Sequence, residues 1–116
     1  MYRAILYNPQ LEIAVEVMID EDNEYENLST VLKCEEIDMM SHPSGYGIAI
    51  DGTAFFKKNN VLTRYEGVEQ PLAGNILFIG MLDEEGYATS LDANVTPEYI
   101  EQKFTYYATI SDLKSK

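Results

Sequence analysis

Apolar and polar positions alternate along residues 11–20, where Leu11, Ile13, Val15, Val17 and Ile19 are interleaved with Glu12, Ala14, Glu16, Met18 and Asp20. A period of two marks a strand with one buried face, so the pattern predicts a strand that turns Glu12 and Glu16 away from the core. Residues 2–6 form a compact apolar run before it, closed by Asn8-Pro9, where proline favours a turn. Together the two segments predict a hairpin.

The period then changes. Tyr25, Leu28, Val31 and Leu32 recur at helical spacing behind an acidic run of Asp20, Glu21, Asp22, Glu24 and Glu26. Asp22 or Asn23 can cap this helix, and exposed carboxylates in a first turn gain about 0.3–1 kcal/mol each from the helix dipole. Residues 34–40 predict a further strand, broken by Ser41-His42-Pro43-Ser44-Gly45. Tyr46, Ile48 and Ile50 form the next strand, which runs into Asp51-Gly52, a two-residue hairpin signal with residues 53–56 as the returning strand. Lys57, Lys58, Asn59 and Asn60 read as a turn, Val61-Leu62 as a short extended piece, and residues 64–70 as loop.

Residues 76–82 are apolar without alternation, which suits a central strand covered on both faces. Asp83-Glu84-Glu85-Gly86 turns it, and residues 87–91 are expected to return as its antiparallel neighbour. Thr96-Pro97-Glu98 supplies an N-cap, a proline at the first helical position and an acid in the first turn, so a C-terminal helix starts there. Ile100, Phe104 and Tyr107 fall on one face of that helix. The expected fold is a single α+β domain over residues 1–110, with a mainly antiparallel sheet, a helix after the second strand and a C-terminal helix, then a polar tail over residues 111–116.

Composition adds that this pattern has a core to serve. Apolar residues make up 46% of the 116-residue chain, too many for a disordered acidic tail. No apolar run approaches the roughly 18 residues of a membrane span, and the opening residues lack the features of a secretory leader. The one cysteine, Cys34, cannot form an internal disulfide. A reducing, cytoplasmic setting is expected.

Charge changes the picture most. Acids outnumber bases 20 to 8, a formal net charge of −12, and the excess is densest before residue 40. Such a surplus costs stability by self-repulsion and builds a negative field that steers basic partners. Direct binding to DNA or RNA is excluded, because affinity for phosphates comes from Lys and Arg. The converse is a surface whose carboxylates imitate phosphates and occupy a nucleic-acid site on another protein. Its candidate contacts are Glu12, Glu16, Asp20, Glu21, Asp22, Glu24 and Glu26. If the strand acids and the helix acids lie side by side, the surplus is one binding face; on opposite sides, it serves solubility and helix capping.

Catalytic chemistry is sparse. His42 is the only histidine, placed in a turn where exposure is expected and without an acid and base arranged near it in sequence. Cys34 reads as a small hydrophobe, and a Cys34–His42 thiolate pair has no motif behind it. Zinc spacing, calcium-loop order and a phosphate-cradling glycine pattern are all missing from the sequence. A protein that is not an enzyme, with no metal and no cofactor, is the expectation. Nine tyrosines are unusually many, and Tyr25, Tyr65, Tyr87 and Tyr106 are candidates for exposed anchors.

The segment Leu72-Ala73-Gly74-Asn75-Ile76-Leu77-Phe78-Ile79-Gly80, with Asp83-Glu84-Glu85-Gly86, Ser90-Leu91, Pro97-Glu98-Tyr99-Ile100 and Phe104, resembles the C-terminal half of domain-of-unknown-function family 3846. Members are small proteins of phages, plasmids and their bacterial hosts. The similarity takes in the two opening strands as well; its motifs are structural, and the family's asparagine-arginine element has no clear counterpart at Asn60 and Arg64. The resemblance implies a mobile-element setting inside a host cell, where small acidic proteins block host defence. Two expectations follow. The first is an inhibitor of an anti-phage system of CRISPR or restriction type that occupies the nucleic-acid site of a basic host protein. The alternative is a non-catalytic sponge for a nucleotide-derived immune signal, with Arg3, Lys57, Lys58 and Arg64 as ligand contacts. An exposed edge strand also offers a place for a second copy to form a homodimer.

Overall fold

The computed structural model describes residues 1–54, 61–81, 83–85 and 88–109, the last four by backbone alone. Strand β1 (Tyr2–Asn8) and strand β2 (Ile13–Ile19) form the predicted hairpin, in register from Tyr2 opposite Ile19 to Asn8 opposite Ile13. The Asn8 side chain closes its turn by accepting from the Gln10 N–H at 3.0 Å. Strands β3 (Ile37–Ser41) and β4 (Gly47–Asp51) form a second hairpin, and β7 (Ile76–Ile79) lies between the two. The result is a five-stranded antiparallel sheet in the order β2-β1-β7-β4-β3. As the unbroken apolar run predicts, β7 is its central strand, with Ile76 and Phe78 buried on one face and Leu77 and Ile79 on the other.

Helix α1 (Glu24–Leu32) covers the Leu77 and Ile79 face with Leu28 and Leu32. It ends at Lys33, which takes a left-handed φ of 56°. The cap differs from expectation. A single 3₁₀ turn, Glu21–Asn23, precedes the helix, and Asp20 caps that turn by accepting from the Asp22 N–H at 3.0 Å, whereas Asn23 makes no side-chain cap.

The other face of the large sheet meets a second, three-stranded sheet in the order β6-β5-β8, made of β5 (Val61–Tyr65), β6 (Leu72–Ala73) and β8 (Phe104–Thr109). Tyr65, Leu72 and Phe104 of this sheet share one core with Ile5, Tyr7, Ile48 and Phe78 of the first. The Tyr7 and Phe104 rings stack with centroids 3.9 Å apart. Helix α2 (Pro97–Glu101) adds Ile100 to the same core.

Five sequence expectations are corrected in detail. The C-terminal helix starts as predicted, with Thr96 accepting from the Tyr99 N–H at 3.2 Å, but it ends at Glu101. Phe104 and Tyr107 belong to β8, because an aromatic and β-branched run paired to the open edge of β5 outweighs a spacing that also fits a helix. Asp51-Gly52 does not form a hairpin. The Asp51 carboxylate folds onto the Thr53 N–H and hydroxyl at 2.8 Å, and β4 pairs with β3 and β7 instead, while Phe55 and Phe56 lie outside the described residues.

Residues 88–91 form no strand beside β7. They are held by single bonds, the Gly80 N–H to the Thr89 carbonyl and the Leu91 N–H to the Arg3 carbonyl, both 2.8 Å. Residues 61–65 are strand, although the stretch from Arg64 reads as loop. Finally, the apolar face of β2 is only partly covered: Ile19 is buried, but Ile13 and Val15 are 48% and 46% exposed. A nine-residue helix spans about 14 Å against about 23 Å for a seven-residue strand, so α1 leaves the far half of this edge bare.

Candidate functional site

The seven acids singled out in sequence do not share one face. Glu16 lies directly opposite Ile5 in the β1–β2 register and so points to the side away from α1. There its Oε2 accepts from the Arg3 Nε at 2.7 Å. Glu12 sits in the turn at the far end of β2, with φ 56°. The separation to Asp20 along the strand is about 25 Å at the usual rise. Asp20, Glu21, Asp22, Glu24 and Glu26 remain together at the other end, where β2 passes into α1.

One further acid joins them from a distant part of the chain. Glu21, Glu24 and Asp83 line a cleft of about 490 Å³ together with Tyr2, Ala88 and Ser90. Asp83 reads in sequence as an ordinary turn residue, and nothing local marks it. It reaches the cleft because the loop after β7 is tied back on itself, the Thr89 hydroxyl donating to the Met81 carbonyl at 2.7 Å beside the Gly80–Thr89 bond. A Cβ at Gly80 would lie 2.2 Å from the Ser90 carbonyl oxygen, so glycine is what allows this close return.

The electrostatics of this acidic pole are strained. Burial pushes the Glu24 carboxyl up, and the neighbouring charges of Glu21 and then Asp83 push it further. Glu21 faces the amino group of Met1 at 3.0 Å, but no ion pair among the described residues reaches Glu24. Tyr2 is 4% exposed, and its buried hydroxyl has no hydrogen-bond partner among the described residues. Its phenol is pushed up by burial first, then by Glu24 and Glu21. Glu26 points elsewhere, lining a shallow surface with Tyr25 and Glu35 beside α1, where the Tyr25 hydroxyl donates to the Glu35 carbonyl.

The two described basic candidates for a nucleotide site, Arg3 on β1 and Arg64 on β5, are not gathered. Arg3 spends its guanidinium on structure: besides Glu16, Nη1 donates to the Asp92 carbonyl at 2.9 Å and Nη2 to the Val95 carbonyl at 2.8 Å. Arg64 is exposed on β5, in the other sheet, and donates to the Glu69 carbonyl at 3.3 Å. Lys57 and Lys58 lie outside the described residues.

His42 is not the exposed turn histidine expected. It is 8% exposed, stacked on Tyr46 with centroids 4.5 Å apart and edge-on to Tyr65. Its Nδ1 accepts from the Ser44 N–H at 3.0 Å, which leaves Nε2 to donate to the Glu66 carbonyl at 2.6 Å. Nδ1 thereby braces the β3–β4 loop internally, and Nε2 fastens it to the loop after β5. Cys34 is buried on the opposite side of the sheet, in the core under α1, so it and His42 form no pair. Tyr65 is buried rather than exposed, sharing a 2.7 Å hydroxyl contact with Tyr46, whereas Tyr25 is exposed as expected. Tyr87 and the Tyr106 side chain lie outside the described residues. Among the described residues no group of three or more His, Cys, Asp or Glu is placed to hold a metal ion, and no helix is long and apolar enough to cross a membrane.

Comparison with family models, with curated proteins and with solved structures finds no match.

Proposed function

We propose that the protein is a non-catalytic binding protein that presses its acidic pole, residues 20–24 with Asp83, against a basic nucleic-acid-binding surface of a host defence protein. The observation that supports this reading is the crowding of Glu24 against Glu21 and Asp83 around a partly buried cleft. Like charges held together at the expense of the folded protein gain most when a cationic partner arrives. Glu12 and Glu16 have no part in this contact, one being remote and the other committed to Arg3. The counter-defence setting is carried over from the expectation read in the sequence segments between residues 72 and 104, to which the comparisons add nothing. A nucleotide sponge gains no comparable support, since the Arg3 donors are taken up within the fold.

The test is retention of a partner from a lysate of the bacterial host by the tagged protein. The reading expects capture of a nucleic-acid-binding protein that is lost at high salt and displaced by added DNA or RNA. Retention indifferent to both salt and nucleic acid would contradict it.

A further inference from the structure

We propose that β2 is the contact edge of a weak homodimer, two copies pairing β2 to β2 antiparallel about Val15 so that their five-stranded sheets join into one of ten strands. The contact lies apart from the acidic pole and does not depend on its role.

Strand β2 is an outermost strand of the large sheet, paired with β1 alone. The Ala14 N–H donates to the Glu101 carboxylate at 3.4 Å and the Asp20 N–H to the Asn27 Oδ1 at 3.0 Å, so even-numbered residues turn their backbone groups away from β1. Between them, the N–H groups of Glu16 and Met18 face outward with no partner among the described residues. A row of this kind is a template for another strand. Odd-numbered residues supply the apolar part. Ile13 and Val15 are about half exposed, beside the partly buried Leu6 and Val17, on the face that α1 is too short to cover.

Pairing about Val15 provides the missing cover. Val15 falls opposite its own counterpart and Ile13 opposite Val17 of the other copy, so the bare half of each strand lies beside the half that runs into the other copy's α1. This register also keeps acid from acid. Glu16, already held by Arg3 at 2.7 Å, falls opposite Ala14, and Glu12 opposite Met18. Centring on Glu16 would set Glu16 against Glu16, and centring on Ala14 would set Glu16 against Glu12. The two Asp20 residues end about 30 Å apart, several Debye lengths at ordinary salt. Leu11, Ile13, Val15 and Met18 expose roughly 400 Å² per copy, so the joined edges bury about 1,000 Å² in all, the low end for a specific interface and the reason the dimer is weak. Glu101 guards this edge: its bond to the Ala14 N–H is long, and it gives way to the Glu16 carbonyl of the other copy.

Sedimentation of the full-length protein up to millimolar concentration, at low and high salt, reads the association. A mass rising toward the dimer is expected, and more readily at high salt, because two bodies of net charge −12 are joined. Release of a basic partner by salt has the opposite sign, so failure of one contact is distinct from failure of the other. Val15→Glu sets two acids face to face and is expected to weaken the dimer at least about tenfold, with the circular dichroism of the fold unchanged. Glu101→Ala frees the Ala14 N–H and is expected to tighten the dimer about threefold, a gain that a damaged fold does not give. In a mixture of isotope-labelled and unlabelled copies, NMR contacts between the Ile13 methyls of one copy and the Val17 methyls of the other are expected. A protein that stays monomeric at millimolar concentration in high salt would overturn the interface. So would a dimer indifferent to both substitutions, or one whose contacts fall on β3 at the opposite edge of the sheet.

Discussion

The Arg3 guanidinium holds the Glu16 carboxylate at 2.7 Å on the face of the sheet away from α1, and with its other two nitrogens it pins the Asp92 and Val95 carbonyls. That contact divides the acidic surplus into unlike parts. Glu16 is a structural ligand of the one basic residue in β1, while Glu21 and Glu24 on the other side of the hairpin have Asp83 for a neighbour.

Arg3→Ala takes one of two donors from the Asp92 carbonyl, which keeps the Val95 N–H, and removes the guanidinium from the Val95 carbonyl and the Glu16 carboxylate. A loss of about 2–4 kcal/mol in stability is expected. Glu16→Gln keeps the carbonyl contacts and alters only a half-exposed pair, so its cost stays below about 1 kcal/mol. Urea denaturation of the two variants should separate them, and equal losses would show that the carbonyl bonds carry no weight.

Gly67 has φ +90°, and a Cβ there would lie 2.4 Å from the His42 Nε2. Gly67→Ala adds backbone strain to displacement of a buried ring that bonds the Glu66 carbonyl, for an expected cost of roughly 3 kcal/mol or more. Gly45→Ala meets no atom within 4 Å at a similar φ of +100° and should cost only about 1–2 kcal/mol. Thermal melts of both give the comparison directly.

Stability should fall in alkali for a definable reason. Burial pushes the Tyr46 phenol up to about 12 and the Tyr65 phenol higher still, with each hydroxyl acting on the other. In the unfolded chain both ionise near the ordinary value of about 10. Below that pH the folded and unfolded chains hold the same protons, and above it the unfolded chain releases them first. Stability is therefore intact up to about pH 10 and declines as pH rises toward the folded value. Phenolate absorbance followed with circular dichroism should show these tyrosines titrating together with unfolding, not before it.

Glu24 obeys the same sign at lower pH. Its carboxyl is raised by burial and by Glu21 and Asp83, so its charged form is disfavoured in the fold. Glu24→Gln is expected to raise stability slightly at neutral pH, by no more than about 1 kcal/mol, seen as a small rise in melting temperature, and the gain should vanish in acid once the wild-type carboxyl is protonated. A loss of stability at neutral pH would mean that the charge is compensated within the protein.

Much of the fold was legible because single segments carry their own instruction. The run Ile76-Leu77-Phe78-Ile79 is apolar on both faces and could only be a covered strand, and Thr96-Pro97 starts α2 through a cap and a ring that suit no other place. What failed depends on partners far away in sequence. Phe104 is helical by spacing but becomes strand because β5 offers an edge, and Ile13 lies bare because α1 is too short to reach it. His42 looked exposed in its turn, since nothing local announces the stack with Tyr46 and Tyr65. The candidate site divides the same way. Asp20, Glu21 and Glu24 were visible as a run, whereas Asp83 and Tyr2 enter only through the folded path of the chain.

The claim that the acidic pole, and not net charge alone, binds basic partners is tested most directly by the affinity of an oligoarginine peptide for two variants matched in charge. E21Q/E24Q neutralises two acids at the pole, and E12Q/E16Q neutralises two that the fold places elsewhere. About tenfold weaker binding and a shallower salt dependence are expected for the first, with the second close to wild type. Equal losses from both variants would contradict the account, because the surplus of acid would then act as a diffuse field without a face.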